Sequence, residues 1–265
     1  MKTSKEPSDP LYIAAIERAM TVLRVLGEAG APQGVSDVAR AAGLTQSTTW
    51  RICYTLQKLG YVKSNAAGHM SPGLPLLALG HAALAGENVQ VIAQPLLEDL
   101  ANRHQGVTAL AARDGDDMLL VSRFEARDAM LSMNLRTGSR VPILTSAMGW
   151  AFLASLPQEE QQRTIAALRK RHPKVPGKVT DMMQEQLRLY PEQGFVVNTG
   201  VFHPNVGFAG VPMVHPGSGE TFTLNCGGVL TSVPPRKLFS DVGPALRRAA
   251  DMVRSALGGY EATPA

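Results

Sequence analysis

Apolar residues in the first quarter of the chain recur every three or four positions, which is the spacing of one helical face. The pattern predicts a first helix over residues 11–28, and a Gly-Ala-Pro break follows it. Its buried face is expected to consist of Ile13, Ile16, Met20, Leu23 and Leu26. The pattern then predicts a short second helix over residues 37–42 and a third helix that runs from an N-cap at Thr45 to Leu59.

The second and third helices carry signals for where they begin and which side they bury. Ser36 is the expected N-cap of the second helix, whose Val38 and Ala41 face inward. Gly43 supplies a left-handed turn before the third helix. The buried stripe of the third helix is expected to be Ile52, Leu56 and Leu59. This order of helices and turn is that of a helix-turn-helix, whose last helix lies in the major groove of DNA.

The rest of the chain predicts an α+β protein. Residues 61–63 and 69–71 form a hairpin that would be a wing, and residues 74–84 form a linker helix. Further helices are predicted over residues 89–104, 146–155, 157–171, 180–190 and 241–257. Further strands, in an antiparallel sheet, are predicted over residues 108–112, 118–121, 130–135, 194–198, 206–214 and 220–230. The expected domains are residues 1–73 and 89–265, joined by a linker at 74–88.

The composition is that of a globular protein with a modest positive charge. Of the 265 residues, 45% are hydrophobic and 18% are charged, and the formal net charge is +4. Residues 1–73 hold eight Lys and Arg against five Asp and Glu, so most of the surplus lies in the predicted helix-turn-helix. No apolar run has the length of a membrane span or the form of a signal peptide, and the two cysteines are far apart. We therefore expect a cytoplasmic protein without a membrane partner.

The third helix begins with short hydrogen-bonding side chains, as a helix that contacts base edges does. Gln46 can read adenine, Arg51 can contact guanine or phosphate, and Ser47 and Thr48 can contact either. Viewed alone, capping and a solvated surface explain these polar residues better. Trp50 is interpreted as a core residue, because an aromatic beside a helical stripe is more often buried.

Five segments, in this order, resemble the IclR family of regulators: IERAMTVLRVL, GVSDVARAAGLTQSTTWRICYTLQKLGYV, GLPLLALG, RTGSRVPILTSAMGWAFLASLP and GFVVNTGVFHPNVGFAGVPMVHPGSGETFTLNCGG. The resemblance implies a winged helix-turn-helix, a linker helix and a GAF-like effector domain. It also implies homodimers, or dimers of dimers, that bind palindromic operators in double-stranded DNA. The DNA contacts expected from it are Ser36, Thr45, Gln46, Ser47, Thr48, Thr49, Arg51, Tyr54, Lys58 and Lys63.

The chain departs from the family at two places that commonly carry phosphate contacts. Gln46 stands where the family commonly has a Lys, and residues 68–71 read Gly-His-Met-Ser where the wing often reads Gly-Arg-Tyr-Arg. Each lost phosphate contact flattens the salt dependence of binding by about one unit of slope. DNA binding is then expected to depend more on Arg51, Lys58 and Lys63.

The resemblance also implies a pocket for a small-molecule effector at residues 141–149 and in strands near the C-terminus. The predicted helix start at Ser146 offers free amides, which attract a carboxylate. The expected effector contacts are Leu131, Met133, Ala147, Met148, Asn198, Phe208, Asn225 and Gly227. The last four replace an acid, a cysteine and two serines common in the family, so an aromatic or short-chain acid is the expected effector. Ordinary core packing explains Phe208 and Met148 at least as readily.

Three other functions stay open. An enzyme would use Cys226 as nucleophile and His203 or His215 as base, although no catalytic motif surrounds them. A zinc sensor would use the same three side chains, one ligand short of the usual four. A winged helix that binds a protein, beside a sensor domain without a ligand, is the third. The sequence indicates no metal and no cofactor, and it predicts a DNA-binding regulator rather than an enzyme.

Overall fold

The computed structural model describes residues 11–85, 88–127 and 135–260. The chain divides into an N-terminal unit, Met1–Ala85, and a C-terminal unit, Gly86–Ala265. The predicted linker helix falls within the N-terminal unit. Each unit has a hydrophobic core of its own.

The N-terminal unit consists of helices followed by a hairpin and a further helix. Its helices are α1 (Ala14–Glu28), α2 (Val35–Ala42), α3 (Gln46–Lys58) and α4 (Pro75–Ala85). Its strands β1 (Val62–Ser64) and β2 (Met70–Pro72) pair antiparallel, with Lys63 opposite Ser71. The predicted winged helix-turn-helix is confirmed, and the predicted helix and strand boundaries differ from these by at most three residues.

The buried face of α1 differs from the predicted stripe. Val22 and Leu26 are its buried residues, whereas Ile13, Ile16 and Met20 are exposed. Only the C-terminal half of α1 meets the core, which is completed by Val38, Cys53, Leu56, Val62 and Met70. A helical period shows that an apolar face exists, but it does not show which turns have a packing partner.

The stripes of α2 and α3 also differ from the predicted ones. In α2, Ala39 is buried beside Val38, and Ala41 is exposed. The buried positions of α3 are Thr49, Cys53 and Leu56. Leu59 is exposed, because α3 ends at Lys58 and Leu59 is its C-cap.

The turn between α2 and α3 is held by glycine and by one of the two predicted caps. Gly43 adopts a left-handed φ of 64°, which ends α2 without steric cost. Thr45 caps α3, since its Oγ1 accepts a hydrogen bond from the Thr48 amide at 3.3 Å. The prediction for Ser36 is wrong: α2 begins at Val35, with Gly34 as its N-cap.

The C-terminal unit is built on a six-stranded antiparallel sheet in the order β5-β4-β3-β8-β7-β6. The strands are β3 (Val107–Asp114), β4 (Asp117–Glu125), β5 (Arg140–Pro142), β6 (Val196–Thr199), β7 (Val206–Val214) and β8 (Thr221–Val229). The helices are α5 (Val89–His104), α6 (Ala147–Ser155), α7 (Gln158–Arg171), α8 (Gly177–Gln193), α9 (Pro235–Lys237) and α10 (Gly243–Tyr260). This unit confirms the predicted α+β class. Strand β5 was not predicted, and residues 130–134 of a predicted strand lie outside the described residues.

Helices cover both faces of the sheet. Ala109 and Ala111 of β3 belong to the same buried cluster as Trp150 of α6, so they face α6. Thr108 precedes Ala109 in the strand and therefore points to the other face, where its hydroxyl donates to the Leu97 carbonyl of α5 at 2.9 Å. We call the first of these the α6 face of the sheet.

The N-terminus of α6 is held against a short 3-10 turn, Ile143–Thr145. Ser146 caps α6 by accepting from the Gly149 amide at 3.1 Å, and the Trp150 indole N–H donates to the Leu144 carbonyl at 2.9 Å. A Cβ on Gly149 would lie 2.1 Å from the Ile143 carbonyl oxygen, so the two backbones touch there. The first turn of α6 is therefore fixed relative to the sheet.

We predict that Gly149→Ala lowers the free energy of unfolding by about 2–3 kcal/mol, because the new methyl group meets rigid backbone and forces α6 away. Urea unfolding followed by circular dichroism measures this. Gly177→Ala at the start of α8, where nothing lies within 4 Å, is the matched control and should not destabilise. Equal stability of the two variants would contradict the close approach.

Candidate functional site

One side of α3 faces away from the core. Ser47, Arg51, Tyr54 and Lys58 follow one another at steps of four, three and four residues, and all are exposed. We call these four residues the outer face of α3. The side opposite them holds the buried stripe, so the core fixes which residues point outward.

Helix α3 and the wing carry exposed positive charge that no described acidic residue neutralises. Arg51 and Lys58 lie on it, and Lys63 is exposed on β1 of the wing. Within the described part of the chain, no acidic side chain forms an ion pair with these three cations, whereas Arg40 on α2 pairs with Asp37 at 2.9 Å. Helix α3 contains no acidic residue. This surface favours a polyanionic partner.

The other polar residues expected to contact DNA bond to one another. The Gln46 amide donates to the Ser36 hydroxyl at 2.9 Å, which ties the starts of α2 and α3 together. The Thr45 hydroxyl donates to that of Thr48 at 2.8 Å. Thr49 is buried and donates to the Thr45 carbonyl at 3.0 Å, so it does not lie on the exposed surface.

Trp50 is not the core residue that the sequence predicts. Its side chain is 53% exposed and stacks on Tyr54, itself 48% exposed, with ring centroids 5.4 Å apart and planes 18° apart. The Lys58 ammonium lies 5.5 Å from the centroid of the Tyr54 ring. Thr49 and Cys53 take the inward positions of this part of α3, which turns Trp50 toward solvent.

A small cavity on the α6 face of the C-terminal unit collects most of the expected effector contacts. Five of them line it, namely Ala147, Met148, Asn198, Phe208 and Asn225. The remaining lining residues were not among those expected contacts, and they are Leu135, Val141, Ser146 and Phe202. Leu131 and Met133 lie outside the described residues. The cavity has an accessible volume of about 30 Å³, enough for one or two water molecules, so an organic effector would have to widen it on binding.

The polar side chains that line this cavity differ in whether they have hydrogen-bond partners. The Asn198 amide donates to the Thr145 carbonyl at 3.1 Å. Asn225 is buried, and its Oδ1 has no hydrogen-bond partner among the described residues. The first amides of α6, at Ala147 and Met148, have no acceptor within their own helix. A buried amide oxygen and a helix N-terminus thus face one small space.

Gly227 does not line this cavity. It lies opposite Phe208 in the ladder of β7 and β8, and a Cβ there would come within 2.7 Å of the Phe208 ring. The aromatic ring therefore covers the glycine, and the missing side chain does not enlarge the pocket.

Arg123 of β4 is a polar residue on the α6 face that sequence reasoning did not single out. The strand register pairs it with Ala109, and Ala109 with Asn225. Its Nη1 lies 2.7 Å from Glu125, while its Nη2 is buried without a hydrogen-bond partner in the described ranges. The one signal for it in the sequence is a cation in an otherwise apolar run. A guanidinium N–H without an acceptor favours an anion on this face.

Comparisons with known proteins agree with this architecture. The IclR helix-turn-helix domain matches residues 15–66, and the bacterial transcriptional regulator IclR C-terminal domain matches residues 81–215. The chain belongs to the IclR family. It is an IclR-type DNA-binding transcription regulator by this membership, which confirms the resemblance seen in the sequence.

Curated and solved relatives span most of this IclR-family chain. The HTH-type transcriptional regulator TsaQ1/TsaQ2 of Comamonas testosteroni is 24% identical over 89% of this chain and 85% of its own. The crystal structure of an IclR family regulator from Brucella abortus is 29% identical, covers 96% of both chains and has a TM-score of 0.81. An IclR homolog from Microbacterium hydrocarbonoxydans complexed with 4-hydroxybenzoate shares the fold, at 20% identity, with a TM-score of 0.74 over 92% of this chain and 99% of its own.

The cysteine and histidines of the enzyme and zinc hypotheses do not form a site in this IclR-family chain. His203 and His215 flank opposite ends of the nine-residue strand β7, which is roughly 26 Å long at about 3.3 Å per residue. Cys226 is fully buried in β8 and alternates with Asn225, so it points away from the α6 face. Burial raises the pKa of the Cys226 thiol to about 12.

The described residues show two further features that bear on partners. Among them, no three His, Cys, Asp or Glu side chains are grouped so that they could hold a metal ion. None of the described helices combines the length and apolar character that crossing a membrane requires.

We predict that neither cysteine of the native protein reacts with iodoacetamide at pH 7 on the time scale on which free glutathione is consumed. Cys53 and Cys226 are both buried, and a pKa of about 12 leaves about one Cys226 thiol in 10⁵ ionised at that pH. Mass spectrometry of proteolytic peptides distinguishes the two, and protein unfolded in guanidinium is the control in which both react. Rapid alkylation of Cys226 in the native protein would contradict this prediction and support the hypothesis that Cys226 is a nucleophile.

Proposed function

We propose that this regulator binds a palindromic operator through the outer face of α3 and the wing, as a homodimer or a dimer of dimers. We further propose that its C-terminal unit senses a small carboxylate or aromatic effector. The observation that carries the proposal is that all four residues of the outer face of α3 are exposed, and that its cations Arg51 and Lys58 have no ion-pair partner among the described residues. A regulator of this kind works in the bacterial cytoplasm, where its operator is.

The side chains of the N-terminal unit divide into two kinds of DNA contact. Lys58 and Lys63 supply mobile point charges for phosphates, which position the protein without reading sequence. Arg51 lies between Ser47 and Tyr54 on the outer face, where its fork of donors can bind a guanine edge or a phosphate. Ser36, Thr45, Gln46 and Thr48 border that face and supply further hydrogen bonds. Thr49 contributes by holding α3, not by contact.

The palindromic operator follows from symmetry. A two-fold dimer presents two copies of α3 related by its axis, and each copy meets one half-site. Effector binding controls operator affinity only if the effector prefers one arrangement of the dimer, so that it shifts the population of DNA-competent molecules. In this proposal α4 transmits the change from the effector domains to the spacing of the two α3 helices.

We predict that Arg51→Ala weakens binding to the operator at least tenfold, because a base or phosphate contact in the groove is lost. Fluorescence anisotropy with duplexes from the DNA upstream of the gene, at two salt concentrations, measures both the affinity and its salt slope. Arg163→Ala on α7 of the C-terminal unit removes the same charge from an exposed position and is the matched control.

The outcomes of that titration separate the possibilities. Saturable binding to one duplex that is lost in Arg51→Ala and kept in Arg163→Ala supports an operator-binding regulator. Binding that is equal for all duplexes, or equal in the two variants, contradicts the assignment of the outer face of α3 to operator recognition.

The effector proposal rests on what faces the cavity. The α6 N-terminus favours a carboxylate, and Met148 and Phe208 offer an apolar wall. Asn225 needs a hydrogen-bonding partner, and a hydroxyl satisfies an amide in either orientation because it both donates and accepts. The fold relative that binds 4-hydroxybenzoate holds a ligand with this combination of groups. We therefore propose a small acid that carries an apolar body and a second polar group.

We predict that a hydroxylated aromatic acid raises the melting temperature of the protein more than its unhydroxylated counterpart, and that Asn225→Leu abolishes the difference. Leucine keeps the volume of the side chain and removes its hydrogen bonds, so the variant isolates the polar contact. Thermal shift with 4-hydroxybenzoate and benzoate is the measurement. A preference for the hydroxylated acid that survives in Asn225→Leu would contradict the role given to this residue.

A further inference from the structure

Two large aromatic side chains lie exposed and stacked on a helix whose inner side is well buried. Trp50 and Tyr54 occupy successive turns of α3, and about half of each side chain is accessible to solvent. A single exposed apolar residue is ordinary, whereas adjacent aromatic surfaces mark a place where a partner binds. Each ring restricts the other, so little conformational freedom would be lost on binding.

The surroundings of the pair indicate the chemistry of that partner. Lys58 lies over the Tyr54 ring, Arg51 lies on the turn between the two rings, and α3 has no acidic residue. The partner must therefore be an anion that also offers apolar groups. In the major groove of double-stranded DNA one base carries such a group: thymine, with its C5 methyl.

We infer that Trp50 and Tyr54 form an apolar surface that reads thymine methyl groups in each operator half-site. The inference rests on the proposed binding of operator DNA by α3. The two residues are separated by about 6 Å along the helix axis, at about 1.5 Å per residue. Consecutive bases on one strand are about 3.4 Å apart, so a helix lying along the groove places the pair over roughly two base steps.

A protein partner would also cover exposed aromatic residues. The charges around the pair distinguish a protein partner from DNA. Protein interfaces deplete lysine at their centres, and they balance exposed cations with acids on one side or the other. Here Arg51 and Lys58 lie beside the pair on α3 and Lys63 lies on the wing, and none of the three has an ion-pair partner among the residues described. Phosphates on both sides of a groove supply the balancing charge at all three positions.

The experiment replaces thymine by deoxyuridine, which keeps every hydrogen-bonding group of the base and removes only the methyl. The full-length protein first selects its best duplex from a random pool, and each thymine of that duplex is then replaced singly. We expect one or two neighbouring positions per half-site at which affinity falls about three- to fivefold, the effect of exposing one buried methyl group. At the other thymines the replacement should have no effect.

Matched variants assign the effect to the aromatic pair. Trp50→Ala and Tyr54→Ala are changes at exposed positions, and circular dichroism checks that both fold. We expect each to bind the thymine and deoxyuridine duplexes with equal affinity. Thr55 is exposed on the same helix, and in the described residues its side chain bonds only to the Arg51 carbonyl, so Thr55→Ala should keep the sensitivity to the methyl group.

Intrinsic fluorescence gives a second readout that needs no modified DNA. The chain has two tryptophans, and Trp150 is fully buried in the C-terminal unit. The selected duplex should therefore quench the emission of Trp50, and Trp50→Phe should remove the quenching.

The outcomes distinguish failure of the inference from failure of the proposed function. Tight binding of the selected duplex that is indifferent to deoxyuridine, or a methyl effect that survives in both aromatic variants, overturns the inference and leaves operator binding intact. Failure to select any duplex overturns both, and it returns the aromatic pair to the protein-binding alternative. Loss of the methyl effect in Trp50→Ala and Tyr54→Ala, but not in Thr55→Ala, supports the inference.

Discussion

The rotational setting of α3 about its own axis decides what the N-terminal unit presents to a partner. Thr49, Cys53 and Leu56 are the three buried positions, and the hydroxyl of Thr49 is bonded back to the helix start. A helix with that stripe inside has no freedom to turn, so Arg51 and Tyr54 must point outward. A rotation of one residue, about 100°, would bury Tyr54 in the place of Cys53. The core packing of a small unit thus positions the groups proposed to meet DNA.

In the C-terminal unit, a contact between two backbone segments fixes the position of α6. Gly149 lets α6 touch the 3-10 turn before it, and the bond from Trp150 to the Leu144 carbonyl holds the helix at that distance. The free amides of the first turn consequently face the strands that carry Asn225. In both units, buried residues set the position of those proposed to bind the ligand.

The sequence predicts most of the helices and strands correctly because their periods and caps are local properties. Thr45, Gly43 and the full length of β7 are examples. The prediction was wrong where the environment of a residue depends on other residues that pack against it in the fold. Trp50 is predicted to be a core residue because an aromatic beside a helical stripe is more often buried, yet Thr49 and Cys53 take the inward positions there. Gly227 is predicted to contact the effector, but the ring of Phe208, nineteen positions earlier and opposite it in the ladder, covers the glycine.

The two departures of this chain from its family, at Gln46 and in the wing, have the same consequence for DNA binding. Gln46, bonded to Ser36, and a wing without arginine leave fewer cations to hold phosphates. Phosphate contacts supply affinity without sequence information, whereas contacts in the groove supply both. A regulator that has lost the former must draw more of its affinity from base contacts to stay bound at the same salt concentration. The exposed rings of Trp50 and Tyr54, beside Arg51, offer a large apolar contact area on this helix, and this area can supply affinity through base contacts.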